Sequence, residues 1–252
     1  MASYLITGTS RGIGLKLTEL LIAKPASEVS VVFAATRTES DALKQVAAKS
    51  AGRVQIVSID VTSEESVKQA ASKVEQSLEG KGLDVLINNA GIMNFTPTGI
   101  ETMTDLESTF TTNVTSAHLV TSAFLPLLKK GNLKKVANIS TTLGSLGMAS
   151  TYSLTPVPAY KISKAALNML TVQYAQSFAD QGFSIFTLSP GWVKTDMGSA
   201  YADLTVDQSA NATLDIVLRA GKAENGKFFN VLVPGWENAE GINQYDGAQP
   251  PW

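Results

Sequence analysis

Short apolar runs alternate along this chain with longer stretches of helical period. Tyr4-Leu5-Ile6-Thr7 reads as a strand, and the segment after it places Ile13, Leu17, Leu20 and Leu21 on one helical face. Val29 to Ala35 and Val54 to Ile59 form two further strands. Thr62-Ser63-Glu64-Glu65 has the form of a capping box, and the helix it opens turns Val67, Ala71, Val74 and Leu78 inward. Val85-Leu86-Ile87, Val136 to Ile139, Phe183 to Leu188 and Phe228 to Val233 continue the strand series. Long helices fit between them around 105–129, 159–178 and 205–220.

This alternation predicts an α/β fold: a Rossmann-like, doubly wound parallel sheet of about seven strands, with crossover helices on both faces. The strands are apolar nearly throughout, as a sheet covered on both sides requires. No repeat or low-complexity linker divides the chain, so residues 1–252 read as one domain. The irregular segments 143–158 and 192–204 and the tail 234–252 are the places where substrate specificity would be built.

Composition narrows the chemistry. An apolar fraction of 44% and a charged fraction of 17% belong to an ordinary globular protein. A net charge of −2 gives no field that would gather nucleic acid or anionic membrane. The absence of cysteine excludes disulfides and thiolate chemistry, and the single histidine, His118, cannot build a metal cluster. His118 lies in a helical pattern and reads as a packing or interface residue. No leader peptide or membrane-length apolar run is visible, so the expectation is a cytoplasmic protein acting on a small molecule.

Thr7-Gly8-Thr9-Ser10-Arg11-Gly12-Ile13-Gly14 joins the first strand to the first helix. Glycines there permit a tight turn and let the backbone approach a pyrophosphate, while the helix N-terminus offers free N–H groups. A glycine cluster alone is equally a plain turn. Its place between a strand and a helix at the head of an alternating chain points to a dinucleotide. Ala35-Thr36-Arg37 follows the second strand, where an acidic residue would bind the ribose hydroxyls of NAD. Arg37, with Arg11 in the loop, suits the 2′-phosphate of NADP(H) instead.

Further motifs follow in order: Asn88-Asn89-Ala90-Gly91 after the fourth strand, Thr112-Asn113-Val114 on the next helix, Tyr160-Lys161-Ile162-Ser163-Lys164 opening the helix after the fifth strand, and Ser189-Pro190-Gly191-Trp192-Val193-Lys194-Thr195 after the sixth. A Tyr-x-x-x-Lys alone proves little. In register with Asn-Asn-Ala-Gly and the glycine loop it is very hard to reach by chance. Tyr160 and Lys164, spaced i and i+4, share one helix face. An ordinary tyrosine, with a pKa of roughly 10, is a poor acid–base catalyst near neutrality. A neighbouring ammonium and an oxidised nicotinamide would lower that pKa.

From residue 3 to about 233 the chain resembles the short-chain dehydrogenases/reductases. Within them it is most similar to carbonyl reductases of the sniffer and C-factor type and to fungal ketoreductases similar to norsolorinic acid ketoreductase. The local reasons are Pro190 to Gly198 and the short tail ending Pro251-Trp252. The resemblance implies an NADPH-dependent reductase of ketones or aldehydes, with Tyr160 as proton donor and Lys164 on the nicotinamide ribose. It implies a substrate-binding hydroxyl after the fifth strand. The family register falls on Thr141, with Ser140 one residue earlier a second candidate. It implies that Asn113 holds a water supplying protons to Lys164. It also implies that Gly8, Ser10, Arg11, Gly12, Ile13, Gly14, Arg37, Asp60, Val61, Asn89, Ala90, Gly91, Pro190, Gly191, Val193 and Thr195 bind the cofactor. Asp60 and Val61 would flank the adenine, and Val193 and Thr195 would hold the carboxamide.

An oxidative alcohol dehydrogenase and a catalytically idle NADP(H) sensor share this scaffold. Retention of Tyr160, Lys164 and Asn113 favours catalysis over the sensor, and Arg37 favours the reductive direction. Trp192, Tyr201, Trp236, Tyr245 and Trp252 are the aromatics placed to line an apolar or aromatic ketone, with Met93, Met148 and Met197 bordering the same segments. The resemblance implies a homodimer or homotetramer paired through the helices around 105–129 and 159–178, as in many relatives, or a monomer, as in some carbonyl reductases.

Overall fold

Seven strands, β1 (Ala2–Thr7), β2 (Val29–Thr36), β3 (Val54–Ser58), β4 (Val85–Asn88), β5 (Lys135–Ile139), β6 (Ser184–Ser189) and β7 (Phe228–Asn230), form one all-parallel sheet in the computed structural model of residues 1–252. Their order is β3-β2-β1-β4-β5-β6-β7, so the winding reverses between β1 and β4. In such a sheet the crevice beyond the carboxyl ends of those two strands is the natural ligand site.

Side chains alternate across β1. Tyr4 and Ile6 join an apolar cluster with Leu17 and Leu21 of α1 (Gly12–Ala23) and Leu214 and Val217 of α7 (Val206–Arg219). Leu5 enters the opposite cluster, with Val67, Val74 and Leu78 of α3 (Glu64–Leu78) and Phe124 and Leu127 of α5 (Ser116–Lys130). α6 (Pro158–Ser177) opens with proline at its first position, where a missing N–H costs nothing. No helix is long and apolar enough to cross a membrane.

Four departures from the sequence expectations have local causes. Helix α2 (Asp41–Lys49) is only nine residues long, and of its short apolar stripe Leu43, Val46 and Ala47 just Leu43 is fully buried; Ser40 caps it by accepting from Leu43 N at 3.1 Å. The cap of α3 is Ser63, not Thr62, because the Thr62 hydroxyl is taken by Asp60 at 2.7 Å while Ser63 accepts from Ser66 N at 3.3 Å. The helix expected over 105–129 is one run of helical backbone from Leu106 to Lys130, with a single widened turn inside it. α4 (Leu106–Phe110) passes into a wide π-type turn, Thr111–Thr115, before α5 begins. The seventh strand stops at Asn230, because the returning tail takes over the pairing: Asn230 N donates to Ala248 O, and Leu232 bridges antiparallel to Asp246. His118 meets Tyr174 across the outer face of α5 and α6, at 2.8 Å from its hydroxyl.

Candidate active site

A cavity of about 1310 Å³ opens at the carboxyl edge of the sheet. The loop after β1 forms its floor. Gly8 and Gly12 have φ of +72° and +57°, which side chains disfavour. A Cβ on Gly14 would stand 2.3 Å from Gly8 O and 2.6 Å from Asn89 Nδ2, so this glycine lets α1 pack under the loop. Arg11 precedes α1 without a capping bond from its side chain, which leaves the first-turn N–H groups to an external acceptor. Ser40 donates to Ser10 O at 2.6 Å and ties the loop to α2. This cradle fits a dinucleotide pyrophosphate.

The β4 exit is bound to the same loop. Thr7 Oγ1 accepts from Asn89 N and Ala90 N at 3.0 and 3.1 Å, and Asn89 Nδ2 donates to Thr7 O at 2.9 Å. Asp60 accepts from Thr62 N and Oγ1, and these bonds, aided by the Arg37 charge, hold its carboxyl below the usual range. Arg37 is exposed at the cavity edge with Thr38, a lining residue the sequence reading did not single out. Arg11 does not point freely to the same end. It pairs with Asp196 of segment 192–204 at 3.1 Å, both side chains being exposed.

Tyr160 and Lys164 line the inner wall from α6. Lys164 Nζ donates to Ile139 O at 2.7 Å and lies 5.6 Å from the Tyr160 ring centroid. Burial lowers the Lys164 ammonium to about 8 and pushes the Tyr160 phenol well above its usual range. The expected lowering of Tyr160 is therefore reversed in the protein alone, where desolvation outweighs the neighbouring charge. Burial thus favours the protonated phenol at Tyr160.

The depressed lysine has a stability consequence. Between about 8 and the ordinary lysine value of 10.5 the unfolded chain binds more protons than the folded one, so stability rises with pH across that window. Between pH 7.5 and 9.5 the urea unfolding free energy of the cofactor-free protein should rise about 2 kcal/mol more than that of Lys164→Met. Parallel curves would show that Lys164 is not desolvated. Tyr160, raised by burial, opposes the trend only above its ordinary value of 10.0.

The two candidate hydroxyls part company at the end of β5. Ser140 is buried and donates to Asn168 Oδ1 at 2.7 Å. Thr141, on extended backbone, is half-buried and accepts from Leu143 N at 3.2 Å. Asn113, in the π-type turn, lies behind the cavity wall. Its amide donates to Ile92 O and Ser163 Oγ, and its Oδ1 accepts from Ile92 N. A Cβ on Gly91 would meet Asn113 Oδ1 at 3.1 Å and Lys164 Nζ at 3.7 Å, so this glycine keeps the two close.

Of the catalytic and cofactor-binding residues named from sequence, only Gly14 and Asn113 stand outside the lining. Among the aromatics, Trp192 and Tyr245 line the cavity, whereas Tyr201 is 89% exposed, Trp236 packs on Tyr245 and Trp252 stacks on Phe228. Met93, Met148 and Met197 all line it. The sequence reading missed a polar chain under the mouth. Tyr152 shares a hydrogen bond with Thr142, and Asp203 accepts from Tyr245 and Asn243. The contacts of Asp203 join residues 40 and more apart in sequence, which no local pattern reveals.

Residues 3–204 match the family described as short chain dehydrogenase. The NADPH-bound carbonyl reductase from chicken fatty liver superposes with a TM-score of 0.85 at 33% identity, covering 100% of this chain and 99% of that one. The carbonyl reductase Sniffer of D. melanogaster superposes with a TM-score of 0.86 at 30% identity, with both chains fully covered. The short-chain dehydrogenase/reductase atnB of Arthrinium sp is 35% identical over 78% of this chain and 76% of its own.

Proposed function

The chain belongs to the short chain dehydrogenase family, and from that premise we propose that it is an NADPH-dependent reductase of ketones or aldehydes, with Tyr160 as the proton donor. The observation that carries this reading is the joint placement of Tyr160, Lys164 and Thr141 on the wall of the cavity whose floor is the glycine loop. NADPH, when bound, supplies the hydride. The cradle of Gly8, Gly12 and the α1 N-terminus would hold its pyrophosphate, and Arg37 would meet its 2′-phosphate.

Thr141 and Tyr160 orient the carbonyl oxygen, and the Tyr160 phenol gives it a proton as charge develops there. Lys164 stabilises the resulting phenolate, and its ammonium, softened by burial, can pass a proton back towards Tyr160. The Asn113 turn beside it is the route by which we expect that proton to be replaced. Phe95, Leu154, Trp192, Met197 and Ile242 line the cavity yet remain substantially exposed, and this apolar rim supports a bulky apolar or aromatic ketone as substrate. The test is loss of NADPH absorbance against aldehydes, aliphatic ketones and polycyclic aromatic ketones. Consumption should be fastest with the last group; consumption with none would overturn the reading.

The hydroxyl assignment has its own test. Thr141→Val keeps shape and removes a cavity hydroxyl, and should lower kcat/KM roughly 10- to 100-fold, the loss of one hydrogen bond to developing charge. Such a variant with unaltered kcat/KM would place the carbonyl elsewhere.

A further inference from the structure

Three side chains of α6 meet three consecutive residues at the end of β5. Lys164 Nζ donates to Ile139 O at 2.7 Å, Asn168 Oδ1 accepts from Ser140 Oγ at 2.7 Å, and Thr171 Oγ1 accepts from Asn138 Nδ2 at 2.8 Å. Positions 164, 168 and 171 are spaced i, i+4 and i+7, one stripe of the helix, and Tyr160 is the next position along that stripe. Every side chain on the ladder is nine-tenths or more buried. The β5 end is itself held: Asn88 Nδ2 donates to Asn138 Oδ1 at 2.8 Å, Thr187 Oγ1 to Asn138 O at 3.1 Å, and Ser140 N to Leu188 O at 2.7 Å.

Apolar packing is non-directional, and a helix seated only on apolar side chains can shift or rotate a little at small cost. Directional bonds between buried groups remove that freedom, since any displacement leaves a desolvated polar atom without a partner. The proposed reaction needs that restraint. Tyr160 comes from α6 and Thr141 from the β5 exit, and both must address one oxygen atom.

We infer that Ser140 and Asn168 are a positioning pair: their buried hydrogen bond sets the height and rotation of α6, and so of Tyr160, against Thr141. This rests on the reading of Tyr160 as proton donor. The Ser140 hydroxyl proton is committed to Asn168 and is not offered to the substrate. Without Ser140, Asn168 Oδ1 keeps only Thr187 Oγ1, at 3.4 Å.

The test is a double-mutant cycle of Ser140→Ala and Asn168→Ala, assayed by NADPH consumption with the best substrate of the panel. Active enzyme is counted by NADPH fluorescence titration. Each single variant should lower kcat about 10- to 100-fold, the scale of a sub-ångström to ångström misplacement, with KM and NADPH affinity close to wild type. The double variant should lose no more than the worse single one, because the two side chains act as one unit. Thr171→Val, one rung lower, should also reduce kcat without raising KM. Additive losses, or a fall in kcat that vanishes once NADPH-competent enzyme is counted, would reduce the pair to ordinary fold stabilisers. If Asn168→Ala does not fold, Asn168→Leu, which keeps volume and removes the acceptor, completes the cycle. Tyr160→Phe in the same assay separates the two levels. Retained turnover there removes the proton-donor reading; an inactive Tyr160→Phe beside additive ladder variants removes only the positioning inference.

Discussion

Tyr160→Phe should cut carbonyl reduction by roughly 10²–10⁴-fold while leaving the fold and NADPH binding intact. The substitution deletes one oxygen and keeps the ring, which lies 5.6 Å from the Lys164 ammonium. Burial keeps the phenol protonated across neutral pH, so it is the donor form that the wild type holds ready and the variant lacks. Water is a poor replacement, because the side chain is only 9% exposed and the wall around it is packed. The checks are kcat/KM from NADPH absorbance and NADPH affinity from fluorescence on the same preparation. Turnover near wild type would end the assignment of Tyr160 as the acid.

The second large effect concerns the dinucleotide. NADPH should be preferred to NADH by about 10- to 100-fold, and Arg37→Asp should reverse the preference. Arg37 is exposed beside Asp60, so solvent screening holds the gain below that of a buried arginine–phosphate pair. Arg11 adds less than two converging guanidiniums would, because a phosphate must compete with Asp196, 3.1 Å away. An aspartate at position 37 repels a 2′-phosphate and accepts from the ribose hydroxyls of NADH, so both halves of the ratio move. The measurement is kcat/KM for each cofactor at fixed ionic strength. A variant whose ratio matches wild type would show that the β2 exit does not read the phosphate.

The elements that the sequence made legible are those governed by local rules. β1, β2 and β4 to β6 show themselves because a strand covered on both faces must be apolar nearly along its length, the edge strand β3 through Val54, Ile56 and Val57, and α1, α3 and α7 because each presents one apolar stripe. α2 stays hidden, since it spans only nine residues and fully buries just Leu43. α6 is visible chiefly through its motif, because below Tyr160 its inward stripe is polar: Lys164, Asn168 and Thr171.

By itself the sequence determined the strand–helix alternation, the glycine loop and the pairing of Tyr160 with Lys164. Each depends on backbone preferences or on spacings within a turn or two of helix. Only the tertiary structure shows how Ser140 and Thr141 differ in their partners. Both line the cavity, and only the packing of α6 against β5 shows that Asn168 claims the Ser140 hydroxyl while Thr141 Oγ1 accepts just a local bond from Leu143 N. It alone paired Arg11 with Asp196 and joined Asp203 to the tail through Asn243 and Tyr245. Those partners are brought together by the winding of the sheet and the return of the chain over its edge, and long-range proximity of that kind leaves no periodic trace in the residues themselves.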